Sequence, residues 1–571
     1  MKLRNISAAA IAAATMIMGT TSCSDSFLDE KVFSSYPTTT DASENLAIGL
    51  YRMYAGLWGM SGSQGFLSSF QVGTDVCTPA QVQGVEIGMY RYNELNQENG
   101  TVSFLWEKLY EMIANANLLI YNEEAKGDAA AKRNVAEAKF FRAYCYDLLV
   151  TYWGAVPLET EKNMNNPRTD YKRNTVAEVN TQIERDLEYA IANLPDMDDV
   201  KTGTRVSKDA ARQLAGQVYL RIGMTDDKYY AKAETVLSDI IGSGKYELVK
   251  KRYGVNASGN GDYFNDMFRK GNIRYSQGNT EAIWTFDLDY NKEVNGGYID
   301  YPQHRRVWVA AYYNCPGMIN ADSLGGRGIA RLRLSNFIKY GLYDEGDVRN
   351  SNYNIRRTLY LNKPKFSQEF GIDADGWRVA ADDANAVRKV TLKTGDKYIP
   401  AKTDSLANFP VYSTKWGQYD PDNDFGYEMV KDWPLMRLGE TYLLRAEARF
   451  RQGNYRGAAE DINQLRDRAF KDYRDAGHPN AGAVTVADIQ AKGIDFILDE
   501  RARELIGEES RRYTLVRTHT LGERIKLNTD KASEDKLIKG FTDNNYLWPL
   551  PLNDIQLNKD AVLEQNPGYD E

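Results

Sequence analysis

The chain has 571 residues, with 79 acidic and 71 basic side chains and a formal net charge of -8. This balance excludes the strongly basic surface that is typical of nucleic-acid-binding proteins. The chain also has 38 tyrosines, 9 tryptophans and 19 phenylalanines, although its mean hydropathy is only -0.56. Such a composition is typical of proteins that keep amphipathic rings at surfaces, as carbohydrate and peptide binders do.

The first residues predict an export signal. Two basic residues precede an apolar run from 6 to 18, which is too short to span a bilayer. The run ends in small residues before Cys23, a pattern that resembles the lipobox of bacterial lipoproteins. We therefore expect a signal peptide at 1–22 and an acylated Cys23 at the start of the mature chain. A plain secretory signal that is cut near Ser22 is the alternative.

The rest of the chain is expected to form a single body at 41–571, preceded by an extended lead at 23–40. Helical periodicity predicts repeats over about 41–58, 101–242 and 434–520. The stretches 59–100 and 246–433 are rich in Gly, Asn, Asp and Pro and predict loop-rich, ligand-binding insertions. Long irregular segments in a compact body usually carry function.

Two segments that resemble each other, 228–241 and 453–469, each follow a long helical pattern. A helix, a short break and a second helix with small residues is typical of tetratricopeptide-like repeats. Residues 281–287 alternate in hydropathy like a short strand. The predicted fold is therefore mostly α, a tetratricopeptide-like helical hairpin scaffold with a large irregular loop-rich insertion that contains short strands.

Few residues suit catalysis or metal binding. Beside Cys23, only Cys77, Cys145 and Cys315 are present, and their odd number and wide spacing predict neither a disulfide framework nor a cysteine metal site. The three histidines are isolated, and HExxH, GxSxG and Walker A patterns are absent. A glycosidase that acts through two carboxylates stays open at this stage.

One acidic run is similar to a calcium-binding loop. Asp420, Asp422 and Asp424 alternate as calcium ligands do, but Gly426 falls one place late and Lys431 stands where a bidentate glutamate is required. A structural calcium ion and a solvated acidic turn are both compatible with this run. No other cofactor is expected.

Residues 498–517, LDERARELIGEESRRYTLVR, resemble the signature of the RagB/SusD family of outer-membrane nutrient-binding lipoproteins of Bacteroidetes. The ending, LWPLP at 547–551 and QNPGY at 565–569, is similar to the same family. Further matches follow in family order at 136–143, 205–208, 437–440 and 462–466. The resemblance covers nearly the whole mature chain.

The signature segment also has a structural interpretation. At helical spacing, its apolar residues Leu498, Ala502, Leu505 and Ile506 form one face that we expect to be buried. On the same helix Glu508 and Arg512 are expected to pair one turn apart. We interpret the dense charges as ion pairs of a scaffold helix, since such runs are usually structural or solvated.

The resemblance implies a non-catalytic lipoprotein that is anchored in the outer membrane and faces the cell exterior. It would capture oligosaccharide or polysaccharide and deliver it to a SusC-like TonB-dependent transporter. Peptide capture, as in RagB-like relatives, is the alternative function, and a glycosidase is a less favoured one. No nucleic-acid partner is expected.

Candidate ligand residues are aromatics beside polar groups in loops, because sugar rings stack on Trp and Tyr and sugar hydroxyls take hydrogen bonds. Three groups meet this criterion: Asp75 with Tyr90 and Tyr92; Arg306 with Trp308, Tyr312 and Tyr313; and Asp375 with Trp377 and Arg378. We exclude Trp284 because its strand context predicts burial. The three tryptophans in family scaffold motifs, Trp106, Trp153 and Trp548, are excluded as well.

Overall fold

The computed structural model describes residues 40–59, 63–163, 168–197, 204–288, 302–404, 408–420, 422–426, 429–529 and 536–569. The predicted signal peptide, Cys23 and the lead up to residue 39 lie outside the described residues. The chain divides into a short unit, Met1–Leu46, and a main unit, Ala47–Glu571. Within the described ranges, no helix is both long enough and apolar enough to cross a membrane.

Helices dominate the described part of the chain, as predicted. The α-helices there are α1 (Thr40–Trp58), α2 (Gln64–Ser69), α3 (Gly100–Glu123), α4 (Ala129–Trp153), α5 (Val176–Asn193), α6 (Lys208–Gly223), α7 (Lys228–Gly242), α8 (Tyr263–Asp266), α9 (His304–Trp308), α10 (Leu438–Arg451), α11 (Tyr455–Ala469), α12 (Lys471–Asp475), α13 (Val486–Lys492), α14 (Ile494–Leu505), α15 (Arg511–Arg517), α16 (Leu521–Arg524) and α17 (Leu552–Leu557).

The strands are short and pair in small antiparallel sheets. They are β1 (Cys77–Pro79), β2 (Ala282–Phe286), β3 (Leu332–Leu334), β4 (Ile355–Arg356), β5 (Ser367–Ile372), β6 (Arg378–Val379), β7 (Arg388–Lys393), β8 (Tyr412–Ser413) and β9 (Trp433–Arg437). β1 pairs with β3, β2 with β9 and β4 with β8, while β6, β5 and β7 form a three-stranded sheet in that order. The predicted strand at 281–287 is confirmed as β2.

Helical hairpins form the scaffold, which confirms the predicted fold class. Each helix from α3 to α7 packs on the next, α7 packs on α10, and α10 packs on α11 and α14. Glycine permits the closest of these approaches, because a Cβ at Gly216 of α6 would lie 2.6 Å from Leu237 Cδ2 of α7. The two similar segments, 228–241 and 453–469, thus provide the second helices of the pairs α6–α7 and α10–α11.

The C-terminal motif packs on the end of α4. Trp548 stacks on Tyr152 with ring centroids 4.3 Å apart, and Trp153 Nε1 donates to Pro549 O at 2.8 Å. Both Trp153 and Trp548 are buried, as predicted for scaffold residues. The motif therefore closes the helical scaffold and presents no ring to solvent.

The signature segment is buried as predicted on its apolar face, where Leu498, Ala502, Leu505 and Ile506 are at most 4% exposed. The predicted pair of Glu508 and Arg512 is wrong. Because α14 ends at Leu505 and α15 begins at Arg511, the two residues do not lie on one helix. Glu508 instead accepts from Arg437 Nε at 2.6 Å, whereas Arg512 Nη2 donates to Val72 O at 2.7 Å.

Candidate ligand-binding cleft

An open cleft of about 760 Å³ lies in the loop-rich insertion. Sites for small organic ligands commonly have volumes of about 300–1,000 Å³. All residues that line it belong to five segments, 256–260, 265–270, 322–325, 352–362 and 414–419. The cleft is therefore built by the predicted insertion 246–433 alone, and the helical hairpins contribute no lining residue in the described part of the chain.

Exposed aromatic rings and amides share this cleft. Tyr353 is 38% exposed and Tyr360 is 56% exposed, and Tyr419 is half-buried. Neither the Tyr353 nor the Tyr360 hydroxyl bonds another residue within the described ranges. Asn256 and Asn260 also line the cleft and offer amide donors and acceptors. This combination of ring faces and hydrogen-bonding groups suits a sugar.

Two side chains hold the backbone of Tyr353. Thr414 Oγ1 donates to Tyr353 O at 2.5 Å, and Asn265 Nδ2 donates to the same oxygen at 3.0 Å. The neighbouring Asn354 Nδ2 donates to Val348 O at 2.8 Å. Because its carbonyl is held from two sides, the Tyr353 ring is presented from a fixed loop, which lowers the entropy cost of binding.

Arg349, three residues before Asn352, ties this loop to the signature helix. The guanidinium is fully buried, and its Nη1 lies 2.8 Å from Glu500 Oε1 and 3.0 Å from Glu504 Oε2 of α14. Its Nη2 lies 2.7 Å from Asp347 Oδ2. The charge run of the signature therefore forms structural ion pairs, as expected, and one of them positions a wall of the cleft.

A buried lysine supports the floor of the cleft. Lys431 Nζ donates to Phe268 O at 2.7 Å, to Lys415 O at 2.5 Å and to Gly417 O at 3.1 Å. Phe268 and Gly417 both line the cleft. Burial lowers the pKa of Lys431 to about 7. This single ammonium group thus joins two lining segments through their backbone carbonyls.

The first predicted group lies inside the protein. Asp75, Tyr90 and Tyr92 are at most 2% exposed. Asp75 Oδ2 accepts from Arg511 Nη2 at 2.7 Å and from Arg524 Nε at 2.8 Å. Burial alone would raise the pKa of Asp75, but these two guanidinium groups hold it below its ordinary value. The group has no free surface for a ligand, and we leave it out of the proposed site.

The second predicted group is mostly buried as well. Arg306, Trp308 and Tyr312 are at most 6% exposed. Tyr313 is half-buried; its hydroxyl donates to Gly328 O at 2.9 Å, and its ring lies 5.6 Å from Phe425. Arg306 and Trp308 belong to the short helix α9, whose packing against α2 turns them inward.

Trp308 lines a second, smaller pocket of about 200 Å³. His304, Trp416 and Trp433 also line it, and His304 stacks on Trp416 with centroids 4.1 Å apart. Trp284, which was predicted to be core, lies there at 2% exposure. Because this pocket is smaller than common ligand sites and Trp284, Trp308, Trp416 and Trp433 in it are buried, we do not assign the ligand to it.

The third predicted group lies at the hairpin between β5 and β6. Asp375 is exposed, and Trp377 and Arg378 are half-buried. Trp377 N donates to Asp373 Oδ1 at 2.8 Å, and Arg378 Nη2 lies 3.0 Å from Asp404 Oδ2. These residues lie outside the cleft lining, and their contact with ligand stays a prediction. The three predicted groups therefore do not form one site in the described structure.

The sequence analysis missed Tyr353, Tyr360 and Tyr419. Each stands beside polar residues in the insertion, in Asn-Tyr-Asn at 352–354, Tyr-Leu-Asn at 360–362 and Gln-Tyr-Asp at 418–420. They therefore satisfy the criterion that selected the other aromatics. That criterion does not take solvent exposure into account, because exposure can be read only from the folded structure.

The acidic run that is similar to a calcium-binding loop groups no set of metal-binding side chains in the described residues. Asp420 Oδ1 accepts from Asp422 N at 3.0 Å, which closes a local turn. Within the described ranges, no three His, Cys, Asp or Glu side chains are grouped to hold a metal ion. Cys77, Cys145 and Cys315 are buried and free of disulfides.

Comparison with known proteins identifies the family of this chain. The SusD family model matches residues 272–569, just over half of the chain. A second model, described as starch-binding and associating with the outer membrane, matches residues 26–220. The protein therefore belongs to the SusD family.

Known proteins are similar to this chain along most of its length. SusD-like protein P25 of Formosa agariphila is 26% identical, and the alignment covers 100% of both chains. The starch-binding protein SusD of Bacteroides thetaiotaomicron is 26% identical over 87% of this chain and 84% of the relative. Surface glycan-binding protein A from Bacteroides fluxus shares the fold, with a TM-score of 0.64, 21% identity, and coverage of 93% of this chain and 100% of its own.

Proposed function

We propose that the protein is a non-catalytic glycan-binding lipoprotein of the outer membrane. In this proposal Cys23 carries the lipid anchor, and the cleft faces the cell exterior. The protein captures oligosaccharide or polysaccharide and delivers it to a SusC-like TonB-dependent transporter. Membership of the SusD family and the lipobox-like N-terminus support the anchor and the partner.

The observation that carries the proposal is the cleft itself. It combines the exposed rings of Tyr353 and Tyr360 with amides and has a volume suited to an oligosaccharide segment. The names of two similar proteins point to the same ligand class, since one is a starch-binding protein and the other a surface glycan-binding protein. A glycan therefore fits both the site chemistry and the family.

The charged groups of the cleft favour binding over catalysis. Glycoside hydrolysis generally needs two carboxylates on opposite sides of the scissile bond. Among the described residues that line the cleft, Asp322 is the single carboxylate, and its Oδ2 lies 2.8 Å from Arg269 Nη2. A single carboxylate that already pairs with an arginine does not provide the two carboxyl groups that this reaction needs.

Calorimetry with a panel of oligosaccharides and peptides tests the proposal. Tyr353→Ala and Tyr360→Ala should each weaken glycan binding by ~1–3 kcal/mol, by analogy with other aromatic stacking platforms. Tyr340→Ala is the matched control, because Tyr340 is 77% exposed and lies outside the cleft lining. All three variants should keep the melting temperature of the parent, since the rings are exposed.

Three results would contradict the proposal. Binding of peptides alone would support the RagB-like alternative. Release of cleaved sugar that disappears in Asp322→Asn would support a glycosidase. Equal glycan affinity of the parent, Tyr353→Ala and Tyr360→Ala would remove the cleft from the binding site.

A further inference from the structure

We infer that the cleft selects an anionic glycan, one that carries carboxylate or sulfate groups. This inference rests on the proposed function and names the substrate class of the same site. It is based on the charged side chains of the cleft, whose presence is not accounted for by sugar stacking on the exposed tyrosines.

Positive charge exceeds negative charge among the lining residues. The charged side chains in the described lining are Arg269, Lys270, Arg356 and Asp322. Asp322 lies 2.8 Å from Arg269, so these two charges compensate each other. Neither Lys270 nor Arg356 forms an ion pair with any described residue. Two uncompensated cations therefore remain in a concave surface, where low-dielectric walls strengthen their field.

Arg356 is fixed in place without being neutralised. Its Nη2 donates to Ser323 O at 2.7 Å, a neutral acceptor. Its backbone lies in β4, opposite Tyr412 of β8. A positioned guanidinium that no carboxylate neutralises is a group that proteins use to bind carboxylate and sulfate-like oxygens.

A third cation stands beside the aromatic wall. Tyr360 and Lys397 are paired residues of an antiparallel bridge. Side chains of directly paired residues lie on the same face, with Cβ atoms about 5 Å apart. Lys397 is exposed and forms no ion pair with a described residue. An anionic substituent on a sugar stacked against Tyr360 would therefore lie within reach of this ammonium.

Two nearby carboxylates lie outside the cleft lining. Asp396 Oδ2 accepts from Lys393 N at 2.7 Å, and Asp420 Oδ1 accepts from Asp422 N at 3.0 Å. Both carboxylates thus cap turns of their own backbone and lie outside the cleft lining. A neutral sugar would leave Lys270 and Arg356 desolvated without compensation, whereas an anionic sugar would pair with them.

Calorimetry with matched ligand pairs tests the inference. One pair is an oligogalacturonate and its methyl ester, and the other is a sulfated galactan oligosaccharide and its desulfated form. We expect the charged member of at least one pair to bind about tenfold or more tightly than its neutral partner, as one charge-assisted contact would give. The two pairs separate carboxylate from sulfate as the recognised group.

Charge-removing variants show whether the named lysines are responsible. Lys270→Gln with Lys397→Gln should weaken binding of the charged ligand about tenfold more than binding of its neutral partner. Lys389→Gln is the control, because Lys389 is an exposed lysine of β7 outside the cleft. Raising NaCl from about 0.01 M to about 1 M shortens the Debye length from about 30 Å to about 3 Å, so the charged ligand should lose affinity.

The outcomes separate this inference from the function on which it rests. If neutral glycans from a starch, laminarin and xylan panel bind and no charged ligand binds more tightly, the anionic preference is overturned while glycan binding stands. Salt-insensitive binding, or unchanged affinity in the double lysine variant, also overturns it. If neither charged nor neutral glycans bind, the proposed function fails together with the inference.

Discussion

The hydroxyl of Thr414 donates to the backbone carbonyl of Tyr353 at 2.5 Å, across 61 positions of sequence. This bond joins the segment after β8 to the loop before β4. With Asn265, which donates to the same carbonyl, it fixes the point from which the Tyr353 ring enters the cleft. The geometry of one aromatic residue is thus set by two polar side chains that also line the cleft.

Thr414→Val tests this support. Valine keeps the shape but removes the donor, so we expect a loss of about 1 kcal/mol, seen as a roughly fivefold weaker affinity for the glycan found by the panel. Calorimetry measures the affinity. Thr391→Val on the exposed face of β7 is the control. An unchanged affinity in Thr414→Val would show that the Asn265 bond alone is sufficient.

Trp308→Ala and Trp377→Ala should differ in their effect on the free energy of unfolding, although the sequence places both rings beside polar residues. Trp308 is 5% exposed, and we expect its removal to cost about 3–5 kcal/mol of unfolding free energy. Trp377 is half-buried at a hairpin, and its removal should cost about 1 kcal/mol or less. Urea denaturation of both variants checks this. Similar losses would contradict the burial difference.

His304 should make stability depend on pH. Burial lowers the pKa of His304 to about 3, with the Lys431 ammonium as a second cause, whereas the unfolded value is near 6.5. Between these values the unfolded chain binds a proton that the folded protein does not. Stability contributed by neutral His304 is therefore complete above about pH 6.5 and is lost as pH falls, by about 1.4 kcal/mol per unit.

Denaturation at pH 7 and pH 5 measures this slope. His304→Gln should reduce it, whatever its effect on stability at pH 7. His478→Gln is the control, because His478 is exposed and stacks only on Tyr473. Parallel stability curves for the parent and His304→Gln over this range would refute the assignment.

Cys23→Ala tests the proposed anchor. Several acyl chains hold a protein firmly on a bilayer, whereas one chain binds only marginally, and this substitution removes all of them. We expect a folded protein that no longer fractionates with the outer membrane in cells that lack the transporter. Ser22→Ala is the neighbouring control, since it retains the thiol. Continued membrane association of Cys23→Ala would exclude lipid anchoring.

The helical scaffold could be predicted because its evidence is local. Residue spacing along one helix is sufficient to place Leu498 and Leu505 in the core. The partner of Glu508 could not be predicted, because α14 ends at Leu505, a turn follows at Gly507 (φ +81°), and Glu508 then lies between the two helices, where it contacts Arg437 instead of Arg512. Periodicity describes a continuous helix, and it fails where the helix ends.

The residues of the proposed ligand site were harder to predict than the helices. Trp308, Trp377 and Tyr353 have similar neighbours in sequence. In the structure Trp308 is buried, Trp377 lies at a hairpin, and Tyr353 is exposed in the open cleft. What separates them is long-range packing of loops, such as the contact of Thr414 with Tyr353. The sequence criterion identified the correct kind of side chain and the correct insertion, and lacked the exposure that distinguishes among 38 tyrosines.

The confinement of the cleft to residues 256–419 has a consequence for engineering. A replacement loop must keep the buried contact of Arg349 with Glu500 and Glu504, which is one of the contacts that join the insertion to α14. The proposed ligand contacts and the helical scaffold thus lie in different segments of the chain. If the segment 256–419 is exchanged between relatives and Arg349 is retained, we expect the sugar preference to be transferred with it and the helical scaffold to stay folded.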